Sequence, residues 1–301
     1  MTVTDADRVA PAPRRTSEGV PTRRAWPRRA LVQLATYAGA IAVGLFAFGP
    51  ILWMLITALK PDGEILTSTP VFIPSEVRWD RLANVVTGDF AVYLRNSILV
   101  SGATVVLSVA AAAMAGWVLA RYPLPLKRYL LILVLSAQMF PFVVLLIPIF
   151  ILMRQVDLLG THTGLILAYL SFTTPLVVWI LRGFFQSIPI DLEEAAMVDG
   201  ATRVQAFRRI ILPLAMPGVA AASVFGFISA WNELLFALSF NRNNPELHTL
   251  PVALQQFIGR DTTDFGMIMA ASAVFTVPVV VFFLFTHKRM TQGMVMGATK
   301  G

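Results

Sequence analysis

Six runs of apolar residues alternate with short polar segments along this chain. They fall at about Leu31–Leu59, Tyr93–Ala120, Tyr129–Met153, Thr163–Phe185, Leu214–Phe240 and Phe265–His287. Each is long enough to cross a hydrocarbon core of ~30 Å, which takes ~20 helical residues. Backbone groups in lipid must pair within their own segment, so the runs predict helices. Strand-like alternation, with a turn about every ten residues, is absent and argues against a barrel. Pro50, Pro141, Pro148, Pro175 and Pro278 lie inside the runs. Each removes a backbone hydrogen bond and is expected to kink its helix.

One polar segment is far more ordered than a simple connector. It reads EEAAMVDGATRVQAFRRIILP, residues 193–213, and a third of its positions are charged or amide side chains. Asp191 just before it is placed to cap a helix, with Glu194 closing a capping box three residues on. Glu193 and Glu194 lie in the first turn, where the helix dipole favours negative charge. Gly200 is placed to end that helix with positive φ. Thr202 then caps a second helix with Gln205 at the matching position, Arg208 and Arg209 sit near its end, and Pro213 opens the next span. The pattern predicts a rigid helix–turn–helix outside the membrane. Ala195 and Ala196 give its first helix a smooth face over which another protein could pack. The competing reading is an amphipathic helix resting on headgroups; two acids and few basic anchors in that helix speak against it.

Composition agrees with a membrane chain and narrows its chemistry. Of 301 residues, 56% are hydrophobic and only 14% charged, with a mean hydropathy of +0.71; a soluble domain carries about 25% charged residues. The surface must therefore largely face membrane lipid. Lys and Arg number 17 in the N-terminal tail, the 121–128 and 182–213 loops and the C-terminus, against seven on the other side. This bias places both termini in the cytoplasm, and with them the 193–213 segment. The net charge of +7 follows from topology and anionic headgroups, and needs no nucleic acid. Cysteine is absent, and His162, His248 and His287 are too far apart for a metal site. No Gly-Lys pair occurs, so there is no P-loop and no nucleotide site of that kind. Residues 1–29 are polar and rich in Pro and Arg, which predicts a disordered cytoplasmic tail and no cleavable signal. The transmembrane domain then covers 30–287, with the cytoplasmic loop at 186–213, and a tail follows at 288–301.

Glu194-Ala195-Ala196, three residues, Gly200, nine residues, Ile210, one residue and Leu212-Pro213 match the EAA motif of ABC-importer permeases at every position. QMFP (138–141), THTGLILAYL (161–170), Trp231-Asn232-Glu233, TLPVALQQF (249–257) and the closing TKG resemble the carbohydrate branch of that family, the MalG-like chains. The resemblance runs from about residue 30 to the end. It implies an all-α polytopic membrane protein of six transmembrane helices with the type I importer permease (MetI-like) fold, in a bacterial plasma membrane. It further implies that Glu193, Glu194, Ala195, Ala196, Asp199, Gly200, Arg203, Ile210, Leu212 and Pro213 couple the chain to a separate ATP-binding subunit. By the same likeness the partners are a second homologous permease, two ATP-binding subunits that hold ATP and Mg, and an extracytoplasmic sugar-binding protein. The chain itself would hold no cofactor and catalyse nothing. Outer loops 60–92 and 241–264, with Trp79, Phe90, Leu247 and Phe257, resemble surfaces that receive such a binding protein. IGRDTTD (258–264) is short for the part that reaches into that protein's cleft. The 288–301 tail, with Gly293, Gly297 and Gly301, resembles one reaching the ATP-subunit interface.

Polar residues within spans are costly and usually face a cavity or another helix. The candidates are Gln138, Thr173, Thr174, Trp231, Asn232 and Glu233. Glu233 is the one acid deep in a span, ~9 Å inside its outer end at the helical rise per residue. An aromatic, an amide and a carboxylate together suit a sugar: a ring stacks on C–H faces while the polar groups bond hydroxyls. The same residues could instead bond neighbouring helices. An ion-coupled secondary sugar carrier would show repeated halves and several intramembrane ionisable groups, and an intramembrane enzyme would need a nucleophile or metal at depth. Neither rival accounts for the 193–213 segment.

Overall fold

The computed structural model describes residues 26–258 and 263–298, with side chains over 30–258 and 263–290. Residues 1–25 of the expected tail, 259–262 of the IGRDTTD stretch, and 299–301 of the expected C-terminal tail lie outside that range. Among the described residues every named element is helical, and strand pairing is limited to one antiparallel bridge between Ile258 and Thr263. The chain divides into two units, Met1–Pro50 and Ile51–Gly301. The first holds most of α1 (Trp26–Ala58), an apolar helix with Pro50 inside it.

In the second unit, α2 (Trp79–Thr87) leads into α3 (Asp89–Arg121), a 33-residue helix with no internal proline. Its small residues bring it close to α6 (His162–Ser187): a Cβ on Gly116 would sit 3.1 Å from the Arg182 backbone nitrogen. Van der Waals contact between closely approaching backbones drives helix association in lipid, where apolar burial alone does not. Ala112, Trp117, Val177, Leu181, Phe185, Phe207 and Ile211 pack into one core cluster around this contact.

Two expected spans are not single helices. The third divides into α4 (Lys127–Met139) and a segment ending in α5 (Leu146–Gln155), bent by 99° at the break. Phe140 at the break is extended, with φ −70° and ψ 131°, because the ring of Pro141 disfavours a helical residue before it. The fifth was expected over Leu214–Phe240. Instead α8 (Arg203–Leu214) meets α9 (Met216–Trp231) at 74°, and α9 stops at Trp231, three residues before α10 (Leu235–Phe240). Within α8, residues Phe207–Ile211 are π-helical, and the Leu212 N–H reaches back to the Phe207 carbonyl. Pro213 explains the widened turn: its ring would clash with the carbonyl four residues earlier in a regular helix. After α11 (Leu250–Gln255), α12 (Phe265–Ala298) completes the chain with Pro278 inside it. Among the described residues there are four unbroken membrane-length helices, or six when each bent pair is one span.

Candidate functional site

Residues 188–214 fold into the predicted two-helix knob, formed by α7 (Asp191–Val198) and α8. Its two caps differ in outcome. Thr202 and Gln205 form the expected reciprocal box: the Thr202 N–H donates to Gln205 Oε1 at 2.8 Å, and the Gln205 N–H donates to Thr202 Oγ1 at 3.3 Å. The expected box between Asp191 and Glu194 does not form. Ile190 after Pro189 is already helical (φ −67°, ψ −29°), so Asp191 is the first residue inside the helix and has no cap to make. Asp191, Glu193 and Glu194 still load the first turn with negative charge.

Gly200 takes φ +89°, as its place in the sequence predicts. Around it the Ala201 N–H donates to the Ala196 carbonyl at 3.0 Å and the Gly200 N–H to the Met197 carbonyl at 3.1 Å. These two bonds make a complete Schellman turn, which satisfies the last carbonyls of α7 and sets the angle at which α8 leaves.

The knob has an outer and an inner face. Outward stand Glu194, Ala195, Asp199, Gly200 and Arg203, with Leu192, Val198 and Val204 also exposed. Val198 is 87% exposed, an apolar side chain at the tip that no described residue covers. Ala196 is turned inward, Ile210 and Leu212 are half-buried, and Pro213 is exposed. Glu193, which the resemblance groups with the coupling residues, is 4% exposed and points into the chain. Arg121 Nε lies 3.3 Å from its Oε2, and Trp117 Nε1 donates to the same oxygen at 3.4 Å. Trp117 also stacks on Phe207 at 4.6 Å, and the Arg203 guanidinium sits 5.3 Å from the Tyr122 ring. Arg121 and Trp117 carry no local sequence signal for this role. They lie 72 and 76 positions before Glu193, and no spacing rule links them to it.

The span polar residues do not converge on one cavity. Glu233 is buried, and its carboxylate accepts the N–H groups of Phe236 (2.9 Å) and Ala237 (3.1 Å), capping α10 across the break. Trp231 is 1% exposed and lies between Phe227 and Phe275, each ring centroid 5.3 Å away. Thr173 is buried against Gly226, where a Cβ would meet its methyl at 3.3 Å. Trp231 and Thr173 are thus engaged in interior packing and Glu233 in capping. Thr174 is half-buried. Asn232 and Gln138 do reach a surface; the first donates to the Ile228 carbonyl at 2.9 Å and the second to the Phe172 carbonyl at 3.1 Å.

The loop between α10 and α11 is held by α3. Asn96 donates to the carbonyls of Glu246 (2.7 Å) and His248 (3.0 Å), and Ser97 Oγ accepts the Leu250 N–H at 2.7 Å. Ahead of α2, Arg78 forks onto Asp80 through two bonds of 2.8 Å; hydrogen bonding from Arg78 holds the Asp80 carboxyl below the usual carboxylate range. Among the described residues no group of His, Asp and Glu side chains could hold a metal.

Residues 108–292 match a family described as binding-protein-dependent transport system inner membrane component. The chain is 40% identical over 259 residues to the trehalose transport system permease protein SugB of Mycobacterium tuberculosis, covering 85% of this chain and 93% of SugB. It is 38% identical over 253 residues to the diacetylchitobiose uptake system permease protein DasC of Streptomyces coelicolor, covering 84% and 91%. Among solved structures, a bacterial ABC transporter that imports the acidic polysaccharide alginate superposes with a TM-score of 0.69 at 22% identity, over 89% of this chain and 99% of that one. That likeness carries the fold. These matches give no support to the ion-coupled carrier.

Proposed function

The chain belongs to the family of binding-protein-dependent transport system inner membrane components, and we propose that its cargo is a disaccharide or short oligosaccharide. It is a multi-pass membrane permease subunit of an ABC transporter and has no nucleotide chemistry of its own. In this reading it pairs with a second, homologous permease. Two ATP-binding subunits carry the ATP and Mg, and an extracytoplasmic sugar-binding protein delivers the cargo. The names of the trehalose and diacetylchitobiose relatives support the sugar class. The Lys and Arg bias supports a cytoplasmic knob and cytoplasmic termini.

The observation that carries the reading is the knob itself. It is capped at the start of α8 and locked at Gly200, rooted in the core by its inner face, and it offers Leu192, Ala195, Val198 and Val204 to a neighbour. Such a body moves as a unit when the surface it seats on moves. ATP-driven closure of the partner subunits would carry the knob, open the bundle outward to receive sugar, and hydrolysis would return it to the inward-facing state. Gln138, Asn232 and the half-buried Thr174 are the polar span residues left to border the path.

Two measurements test this. A cysteine at Ala195 is expected to cross-link to an ATP-binding subunit in membranes; no capture there or at Val198 overturns the coupling role. Uptake of trehalose, maltose or diacetylchitobiose into vesicles is expected to stop with vanadate and to survive a protonophore. The reverse pattern overturns the importer. A screen of the same sugars for thermal stabilisation of the external binding protein identifies the cargo.

A further inference from the structure

Glu193 and Glu194 are adjacent, identical in type, and both in the first turn of α7, yet the fold sends them to opposite sides. Glu194 is exposed, while Glu193 is buried against the end of α3. We infer that the Glu193–Arg121 pair is the joint through which the knob moves α3, and that α3 carries the movement to the outer loop as a stiff rod. The inference rests on the importer reading above and adds to it a line of transmission within this chain.

The lower joint has three parts. Arg121, the last residue of α3, pairs with Glu193 and also donates from its terminal nitrogen to the Ile188 carbonyl at 2.9 Å. One turn earlier Trp117 donates to Glu193 and stacks on Phe207 of α8. One residue later Tyr122 lies against Arg203. The end of α3 thus grips the segment before α7, α7 itself and α8. The ion pair is the directional element of the three. Its side chains are 8% and 6% exposed, and taking two charges out of water is costly enough to offset their attraction, so net stability is a weak reason for such a pair. Apolar contacts are non-directional and tolerate sliding. A buried charge pair fixes register.

The rod is distinguished by its continuity. Of the four unbroken membrane-length helices, α1, α6 and α12 carry an internal proline and α3 does not. Its 33 residues span about 50 Å at the helical rise per residue. At its far end Asn96 and Ser97 hold the 246–250 backbone through three hydrogen bonds. One continuous, proline-free helix therefore ties the coupling surface to the outer loop that precedes and includes α11.

The test uses the whole transporter, with both permeases, the ATP-binding subunits and the binding protein, in proteoliposomes. Glu193→Gln, Arg121→Gln and the apolar double variant Glu193→Leu with Arg121→Met are compared for melting temperature and for sugar taken up per ATP hydrolysed. Each single variant strands a buried partner, so both are expected to melt earlier; the double variant removes both charges and is expected to regain melting temperature. Uptake per ATP is expected to fall about tenfold in all three, within the range of measured couplings between sites, with the ATP-binding subunits still co-purifying. A stable double variant with wild-type uptake per ATP reduces the pair to packing and overturns the joint. So does loss of the ATP-binding subunits in Glu193 variants alone, which would return that side chain to the partner interface. A wild-type complex with no ATP-driven uptake overturns the importer reading and the joint with it.

Discussion

Replacing Gly200 isolates backbone geometry from surface contact. Its φ of +89° lies where an L residue is strained, yet a Cβ there would meet nothing within 4 Å. The cost of Gly200→Ala is therefore conformational, about 1–2 kcal/mol for a residue forced left-handed. Relief by unwinding the turn would instead surrender the bonds from Gly200 and Ala201 to the end of α7, each worth ~1 kcal/mol net. Either route lowers the population of the closed turn by about 5–30-fold against a frayed one. It leaves the core around Phe185, Phe207 and Ile211 in place. Asn accepts the left-handed region more readily than Ala, and a β-branched residue accepts it least. Damage is thus expected to increase from Asn to Ala to Val, although Asn is larger than Ala. The assay is sugar uptake per ATP hydrolysed in proteoliposomes, with complex yield as the control for assembly. Asn more damaging than Ala would mean that the partner needs bare space at this position, and would refute the conformational argument. Three variants equal to wild type would refute it too.

Two further outcomes follow from the span interior. Glu233→Ala leaves the Phe236 and Ala237 N–H groups without their acceptors, so melting temperature is expected to fall by the equivalent of ~1–3 kcal/mol. Asn232→Ala is expected to leave melting temperature nearly unchanged while raising the sugar concentration for half-maximal uptake; a substrate effect confined to Glu233 would reverse this assignment. At the start of α12, a Cβ on Gly266 would collide with the Arg81 guanidinium, which is buried and bonded to the Lys60 carbonyl and Asp62. Gly266→Ala is expected to cost ~1–3 kcal/mol by overpacking, read as a lower melting temperature; an unchanged value would show that Arg81 can move aside freely.

Much of this architecture could be read from residue order alone, because its signals are local. Apolar length located each membrane-length helix, although the last runs to Ala298, past the expected His287, and the turn chemistry of Gly200 and of Thr202 with Gln205 needs no distant partner. The failures are equally physical. Pro141 was expected to kink its span and instead breaks it, since its effect on Phe140 adds to its missing N–H. Glu233 stands out in the sequence because a charge in lipid demands an explanation; the structure supplies one in a helix that starts two residues on, which an unbroken apolar run conceals. Asp191 lost its capping role to the conformation of the residue before it. Glu193 and Glu194 are indistinguishable by type and position, and only the arrival of Arg121 and Trp117 from α3 separates them. Long-range pairing of this kind leaves no period in a single chain.

The π-helical stretch at Phe207–Ile211 makes the distal knob sensitive to chain length more than to side-chain identity. A bulged turn accommodates one surplus residue, and each residue of a regular helix advances the azimuth by about 100°. Deleting any single residue there would remove the surplus that lets the backbone pass the ring of Pro213. Arg203 and Val204 would then swing to a different bearing, and the neighbour would meet a foreign profile built from an almost unaltered sequence. Conservative exchanges should pass unnoticed in this short segment, while a loss of one codon would silence the transporter.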